Sequence, residues 1–307
     1  MTAPPSIVLH EVSKWYGEVL GLNEVSVEFG PGVAGLLGPN GAGKSTMLKL
    51  ICGMLRPDIG SVHICGEPTF NHPRIMQRVG LCPEQDALYP NAAALDVVTY
   101  LTKLQGFGAR EARERATAAL ERAGIGHVLK RSVGGFSKGM RQRFKLAQAL
   151  AHEPDVLILD EPLNGLDPNG RREFTDILKS LADEGRCVLV SSHILHEVES
   201  MARRIVVINA GRLLADGTSR EIRDELSHFP LQVRVDTPDG RRVAAELAGL
   251  DGIRRIEITD SGLIVLTHDA AALLDHLAAR AAENAVHVDA VLPLDEDLES
   301  VFRYLTQ

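Results

Sequence analysis

Hydrophobic and polar positions change period several times along this 307-residue chain. Val33-Ala34-Gly35-Leu36-Leu37, Val156-Leu157-Ile158-Leu159, Cys187-Val188-Leu189-Val190 and Ile205-Val206-Val207-Ile208 are short, uniformly apolar runs. Turn or charged residues flank them. Such runs predict strands buried on both faces, as in a parallel sheet covered by helices. Ile7-Val8-Leu9 and Val25 to Phe29 read as further strands. Thr46 to Ile51 reads as a helix, and between Ala92 and Leu150 the pattern turns helical. Ala109 to Ala123 is rich in Ala, Glu and Arg, all strong helix formers. The turn Asn209-Ala210-Gly211-Arg212 closes the last hairpin of a first domain. That domain is expected over 6–220, with a helical subdomain at about 88–150.

A polar helix over 221–228, Glu221 to His228, reads as a linker. From Leu231 a second pattern begins. Leu231 to Val235 predicts a strand, and Val243 to Ala248 a helix. Ile253 to Thr259 and Leu263 to Thr267 predict a hairpin around Asp260-Ser261-Gly262. Ala270 to Glu283 predicts a helix, and Val286 to Val291 a strand. The order βαββαβ predicts a small α+β, ferredoxin-like sandwich as an accessory domain over 229–307. A helix from Asp295 to Leu305 is expected to close the chain.

Composition narrows the class. Hydrophobic residues make up 45%, enough for full cores. No apolar run of about 18 residues occurs, so no membrane span is expected. Met1 to Pro5 lacks the basic-then-apolar pattern of a signal peptide. Cys52, Cys65, Cys82 and Cys187 show no C-x-x-C spacing and read as small buried hydrophobes of a reducing, cytosolic protein. The net charge of −8 argues against a dedicated nucleic-acid binder. From Phe229 onward there are seven Arg, no Lys and fourteen carboxylates, a net charge of −7.

Three strand ends carry candidate chemistry. Gly38-Pro39-Asn40-Gly41-Ala42-Gly43-Lys44-Ser45, followed by Thr46, fits G-x-x-x-x-G-K-[ST] between a strand and a helix. Glycines let backbone N–H groups approach phosphate oxygens, and the helix N-terminus adds partial positive charge. Lys44 is expected on the β- and γ-phosphates and Ser45 on Mg²⁺. Asp160 ends the second apolar run and is a candidate for the same ion. Glu161 follows it as a candidate general base. His193, after Val190-Ser191-Ser192, is a candidate to bond the γ-phosphate or orient water. Phe136-Ser137-Lys138-Gly139-Met140 precedes a helix. On local grounds Ser137 reads as a helix cap.

Together these motifs resemble the nucleotide-binding subunit of an ATP-binding cassette (ABC) transporter. The resemblance spans residues 6–220 and implies a P-loop NTPase core with a helical insertion. It implies that Tyr16 of Lys14-Trp15-Tyr16-Gly17 stacks on adenine and that Gly38 to Thr46 cradles phosphate. It implies that Gln85 of Cys82-Pro83-Glu84-Gln85-Asp86 contacts Mg²⁺ and senses a membrane partner. Ser137 and Gly139 of the signature are expected on the γ-phosphate. Asp167 of Leu163-Asn164-Gly165-Leu166-Asp167 matches the D-loop. Lys138 and Met140 depart from the commonest signature, L-S-G-G-Q. The variant and the ending Asp297-Leu298-Glu299-Ser300-Val301-Phe302 resemble ABC-2-type exporters. The resemblance thus implies an ATPase using ATP and Mg²⁺, paired with a second ATP-binding subunit, in a homodimer. It would dock an integral-membrane permease through residues near Leu88 to Leu104, on the inner face of the cell membrane. Arg110, Arg113, Arg115 and Arg122 read as a solvated face, or as contacts to lipid headgroups or a permease loop. A non-transport ABC ATPase acting on ribosome or DNA, and a non-hydrolysing nucleotide-responsive module, are the competing readings. The first is disfavoured by the single cassette, the second by the presence of Lys44, Glu161 and His193.

Overall fold

Bulges set the shape of the first hairpin. In the computed structural model, which describes residues 6–86, 89–226, 231–283 and 285–294, β1 (Ile7–Tyr16) pairs antiparallel with β2 (Val19–Phe29). Register shifts interrupt this pairing, and Glu11 and Glu24 adopt left-handed backbone there. These breaks hide the strands' full length from an alternation pattern, which picked out only Ile7–Leu9 and Val25–Phe29. β3 (Gly32–Leu37) leads through the glycine-rich loop into α1 (Lys44–Ile51). β4 (Ile59–Ile64), β5 (Glu67–Pro68), α2 (Pro73–Met76) and β6 (Val79–Cys82) follow. The helical insertion holds α3 (Ala94–Leu104), α4 (Ala109–Arg122) and α5 (Lys138–Leu150). Then come β7 (Val156–Asp160), α6 (Pro168–Asp183), β8 (Cys187–Ser192), α7 (Leu195–Glu199), β9 (Arg204–Asn209), β10 (Arg212–Gly217) and α8 (Ser219–Leu226).

The larger unit, ending at Ser219, holds two sheets. One is antiparallel, in order β2-β1-β4-β5. The other runs β10-β9-β3-β8-β7-β6, parallel from β9 to β6. Side-chain alternation explains its uniform apolarity. Val156 and Ile158, with Cys187 and Leu189, enter one core with Ile7, Phe29 and Met47. Leu157 and Leu159, with Val188 and Val190, enter a second core with Phe144, Phe174 and Leu178. Both faces are covered, so every position is apolar. Each such side chain contributes about 1.5–3 kcal/mol on burial.

On the helical insertion the arginines pair within the chain. Arg110 meets Glu114, Arg113 meets Asp96, Arg115 meets Glu111 and Glu153, and Arg122 meets Glu184. The anticipated solvated face is therefore laced by ion pairs. Burial pushes the thiols of Cys52, Cys82 and Cys187 up to about 12, so they behave as packing groups.

The smaller unit, from Arg220, contains β11 (Leu231–Asp236), α9 (Gly240–Leu247), β12 (Ile253–Thr259), β13 (Gly262–Thr267), α10 (Ala270–Ala282) and β14 (Ala290–Pro293). Its sheet order is β12-β13-β11-β14, antiparallel throughout. Val243 and Leu247 of α9 and Leu273 and Leu277 of α10 share one core with Val233, Val235 and Val265. The last strand starts at Ala290 rather than Val286. The Thr237 hydroxyl donates to the His287 carbonyl, which holds that stretch outside the ladder. The expected helix at Asp295 to Leu305, the Asp297 to Phe302 ending, Leu88 and the end of the linker lie outside the described residues.

Gly35 shows how tightly the larger unit packs. A Cβ there would lie 1.9 Å from Cγ1 of Val198 on α7. Gly35→Ala is expected to destabilise the protein by about 1–3 kcal/mol through overpacking. Thermal unfolding should show the loss, and adding Val198→Ala should recover part of it.

Candidate functional site

Three parallel strand ends lie side by side. Leu37 of β3 pairs with Ser192 of β8, and Ser191 of β8 pairs with Asp160 of β7. The loops leaving them therefore converge. They line a cleft of about 440 Å³ with Tyr16, Pro39, Asn40, Gly41, Gly43, Lys44, Ser45, Thr46, Asp160, Glu161 and His193. These residues were singled out from sequence. Val19, Leu20 and Gly21 also line it and carry no motif, as do Glu84 and Asn164, which stand beside the motif residues Gln85 and Asp167 but were given no role of their own.

The loop geometry fits phosphate. Gly41 and Gly43 have φ of +83° and +108°, the left-handed region that glycine tolerates. A Cβ on Gly43 would lie 2.6 Å from the Gly21 carbonyl oxygen. Gly43 caps α1 without any side-chain hydrogen bond, and no acidic residue stands in the first turn. The leading N–H groups of α1 thus have no side-chain acceptor, the arrangement that receives an anion. Gly38 serves packing: its Cβ would lie 2.5 Å from the Ile208 carbonyl oxygen. Ala42 is buried, and its carbonyl accepts from Gly211 N–H.

The charged groups form one connected set. Lys44 is only 6% exposed and donates from Nζ to the carbonyls of Gly38 at 2.6 Å and Pro39 at 3.3 Å. The same Nζ lies 3.5 Å from Glu161 Oε1. Glu161 Oε2 lies 3.0 Å from His193 Nδ1. Glu161 is also 6% exposed and has φ of +48°, left-handed for a residue with a full side chain. Its N–H donates to the Ser191 hydroxyl at 3.0 Å, and that hydroxyl donates to Asp160 Oδ1 at 2.5 Å. Ser45 donates to Asp160 Oδ2 at 3.2 Å. One buried serine therefore holds the Asp160 carboxylate and the Glu161 backbone, a role that only the paired strands reveal.

A second set holds the loop around His193. The Ser192 hydroxyl donates to Glu197 Oε2 at 2.9 Å and accepts from Ile194 N–H at 3.0 Å. Arg171 meets Glu197 Oε1 at 2.8 Å and donates from Nε to the Leu166 carbonyl at 3.2 Å. Tyr16 stands at the cleft mouth, 46% exposed, its hydroxyl 3.4 Å from Thr46 Oγ1. A Cβ on Gly21 would lie 3.0 Å from the Tyr16 ring, so glycine there leaves the ring its place.

Six expected residues lie outside the cleft lining: Gly38 and Ala42, packed as described above, and Gln85, Ser137, Gly139 and Asp167. Gln85 is exposed, and its neighbour Glu84 lines the cleft. The reason is local: Lys145 and Arg141 pin Pro83, Glu84 and Asp86, which fixes how this turn presents itself. Ser137 caps α5, accepting from Met140 N–H at 3.2 Å. Gly139 follows in its first turn, against Leu166. Asp167 caps α6, accepting from Gly170 N–H at 2.9 Å.

Comparison with known proteins gives this geometry its family. A family model described as ABC transporter matches residues 22–164. The chain is 36% identical to the Nod factor export ATP-binding protein I of Burkholderia thailandensis, over 98% of this chain and 96% of that protein. It is 32% identical to the daunorubicin resistance ATP-binding protein DrrA3 of Streptomyces coeruleorubidus, over 99% of this chain and 96% of that protein. A solved ATP-binding cassette, dimeric and bound to ADP and Pi in a post-hydrolysis state, superposes with a TM-score of 0.64 and 26% identity. That match covers 69% of this chain and 98% of the cassette. Its nucleotide-binding fold, and its likeness to relatives over almost the whole length, make this chain a member of the ATP-binding, ATP-hydrolysing subunits of ABC transporters.

Proposed function

We propose that this chain drives export through a separate integral-membrane permease, working as a homodimer on the inner face of the cell membrane. The observation that carries the hydrolytic part of the proposal is the contact line Lys44–Glu161–His193 beside an anion-ready helix terminus. The export direction is supported by the names of the relatives. No described helix is long and apolar enough to cross a membrane, which fits a subunit that relies on a permease. The smaller unit is read as an accessory, regulatory domain.

ATP would lie with its phosphates over Gly38 to Thr46 and its adenine against Tyr16. Lys44 would leave the carbonyls of Gly38 and Pro39 for the β- and γ-phosphates. Glu161 accepts a proton as water attacks the γ-phosphorus. The bond from that phosphorus to the bridging oxygen breaks, and ADP and phosphate leave. His193 holds Glu161 in place and bonds the γ-phosphate. Ser45 and Asp160 offer hard oxygen donors 3.2 Å apart, suited to Mg²⁺ with phosphate oxygens and water completing the shell. Among the described residues no group of three His, Cys, Asp or Glu could hold a metal alone. When bound, Mg²⁺ would offset the charge that develops on the phosphates. Gln85 would join this shell once nucleotide is bound.

Ser137, Gly139 and Asp167 lie outside the cleft of their own chain and would act on the nucleotide of a second subunit. Two helix N-termini, α1 of one chain and α5 of the other, would then face each phosphate group. ATP would hold the pair together, and hydrolysis would loosen it. The permease would dock near residues 89–104, the described part of the expected 88–104 contact, which includes α3; crosslinks that consistently avoid this region would contradict the docking.

Glu161→Gln is expected to lower kcat for phosphate release by about 10²–10⁴-fold while ATP still binds. A tagged Glu161→Gln protein loaded with ATP should recover a multi-spanning membrane protein from native membranes. Recovery of ribosomes or DNA-bound proteins instead would contradict transport. Tyr16→Ala should weaken nucleotide binding by about 1–3 kcal/mol, measured by titration calorimetry, through loss of base stacking. Asp160→Asn should raise the Mg²⁺ concentration that gives half-maximal hydrolysis.

A further inference from the structure

A fully enclosed cation takes no part in the chemistry above. Lys145 of α5 has 1% of its side chain exposed. Its Nζ donates to the carbonyls of Pro83 and Glu84, each at 2.8 Å, and lies 3.2 Å from Asp86 Oδ1. Arg141, about one helical turn earlier, donates from Nε to Asp86 Oδ2 at 2.7 Å and from Nη1 to the Phe136 carbonyl at 2.7 Å. Phe144, Leu146 and Ala147 around Lys145 are all buried in the apolar core. A charge in that setting is costly unless oxygen atoms satisfy it, and packing alone would favour an apolar side chain. The ammonium is therefore explained by what it holds.

What it holds has two ends. Pro83, Glu84 and Asp86 bracket Gln85, directly after β6, and Glu84 lines the nucleotide cleft. The Phe136 carbonyl immediately precedes Ser137, the cap of α5. Through Lys145, Arg141 and Asp86, the loop bordering the cleft and the start of α5 are joined by ionic contacts. Between Arg141 and Lys145, Gln142 donates from Nε2 to the carbonyl of Asn164, which also lines the cleft. The first turns of α5 are thus tied at two points to the rim of the chain's own site.

We propose that Lys145, acting with Arg141 and Asp86, is a positioning residue that relays nucleotide occupancy of one cleft to the N-terminus of α5. This rests on the reading that α5 meets the nucleotide of a second subunit. The relay would make each cleft sensitive to the other, and would carry movement at Gln85 to the same helix.

The test uses the full chain in the Glu161→Gln background. A fluorescent ATP analogue reports on cleft affinity, and light scattering reports on ATP-induced dimerisation. Lys145→Met keeps a long side chain without donors, and Asp86 keeps Arg141 as partner, so the fold should persist. The analogue should bind within about twofold of the parent, while the ATP midpoint for dimerisation rises by about tenfold or more. Asp86→Asn should fall between parent and Lys145→Met. Equal midpoints in Lys145→Met and parent would overturn the relay. So would parallel loss of analogue binding and dimerisation, which would mark Lys145 as structural only. A parent that binds analogue but never dimerises with ATP would instead sink the dimer reading, and the relay with it.

Discussion

The alignment of parallel strand ends is the constraint on which the rest depends. β3, β8 and β7 are hydrogen-bonded neighbours that end within one residue of each other. The loops that leave them have no choice but to meet. Lys44 follows β3, Glu161 follows β7 and His193 follows β8, so residues as far apart in sequence as Lys44 and Glu161 touch. The two cores on either face of the sheet hold this alignment rigidly. The geometry of the site is thus a by-product of core packing, and anything that shifts one strand along its neighbour would part Lys44 from Glu161.

Polar side chains then refine what the sheet brings together. Ser191 fixes Asp160 and the Glu161 backbone with one hydroxyl. Ser192 and Glu197 fix the turn after His193, and Arg171 ties that turn to Leu166. α5 touches the Leu163 to Asp167 loop as well. Gly139 packs against Leu166, and the Lys138 side chain lies over Gly165, where a Cβ would meet it at 2.1 Å. The lysine at a position where the family more often has glycine is accommodated by a glycine in the facing loop.

The sequence made the central strands and the loop residues legible for different reasons. β7, β8 and β9 stand out because both faces are buried and no polar position interrupts them. β4, Ile-Gly-Ser-Val-His-Ile, and the four-residue β6 went unmarked because polar or glycine positions break their runs. The motif residues were readable because phosphate chemistry demands particular types at fixed spacing. Ser191, Glu84 and Lys145 were not, because their roles arise from pairings across 30 to 62 positions. Ser137, Gly139 and Asp167 carry recognisable motifs, yet within one chain they cap helices, and their expected function needs a second subunit.

Glu161 keeps its place against its own backbone. With φ of +48° it occupies a region that glycine or asparagine would enter more easily. A side chain held there costs about 1–3 kcal/mol. A library selected for thermostability alone would drift at this site toward glycine and lose the carboxylate. On the role proposed for Glu161, selection for turnover would drift back. Position 161 is therefore where the interests of the folded chain and of its chemistry part, and stabilising redesign of this protein should leave it untouched.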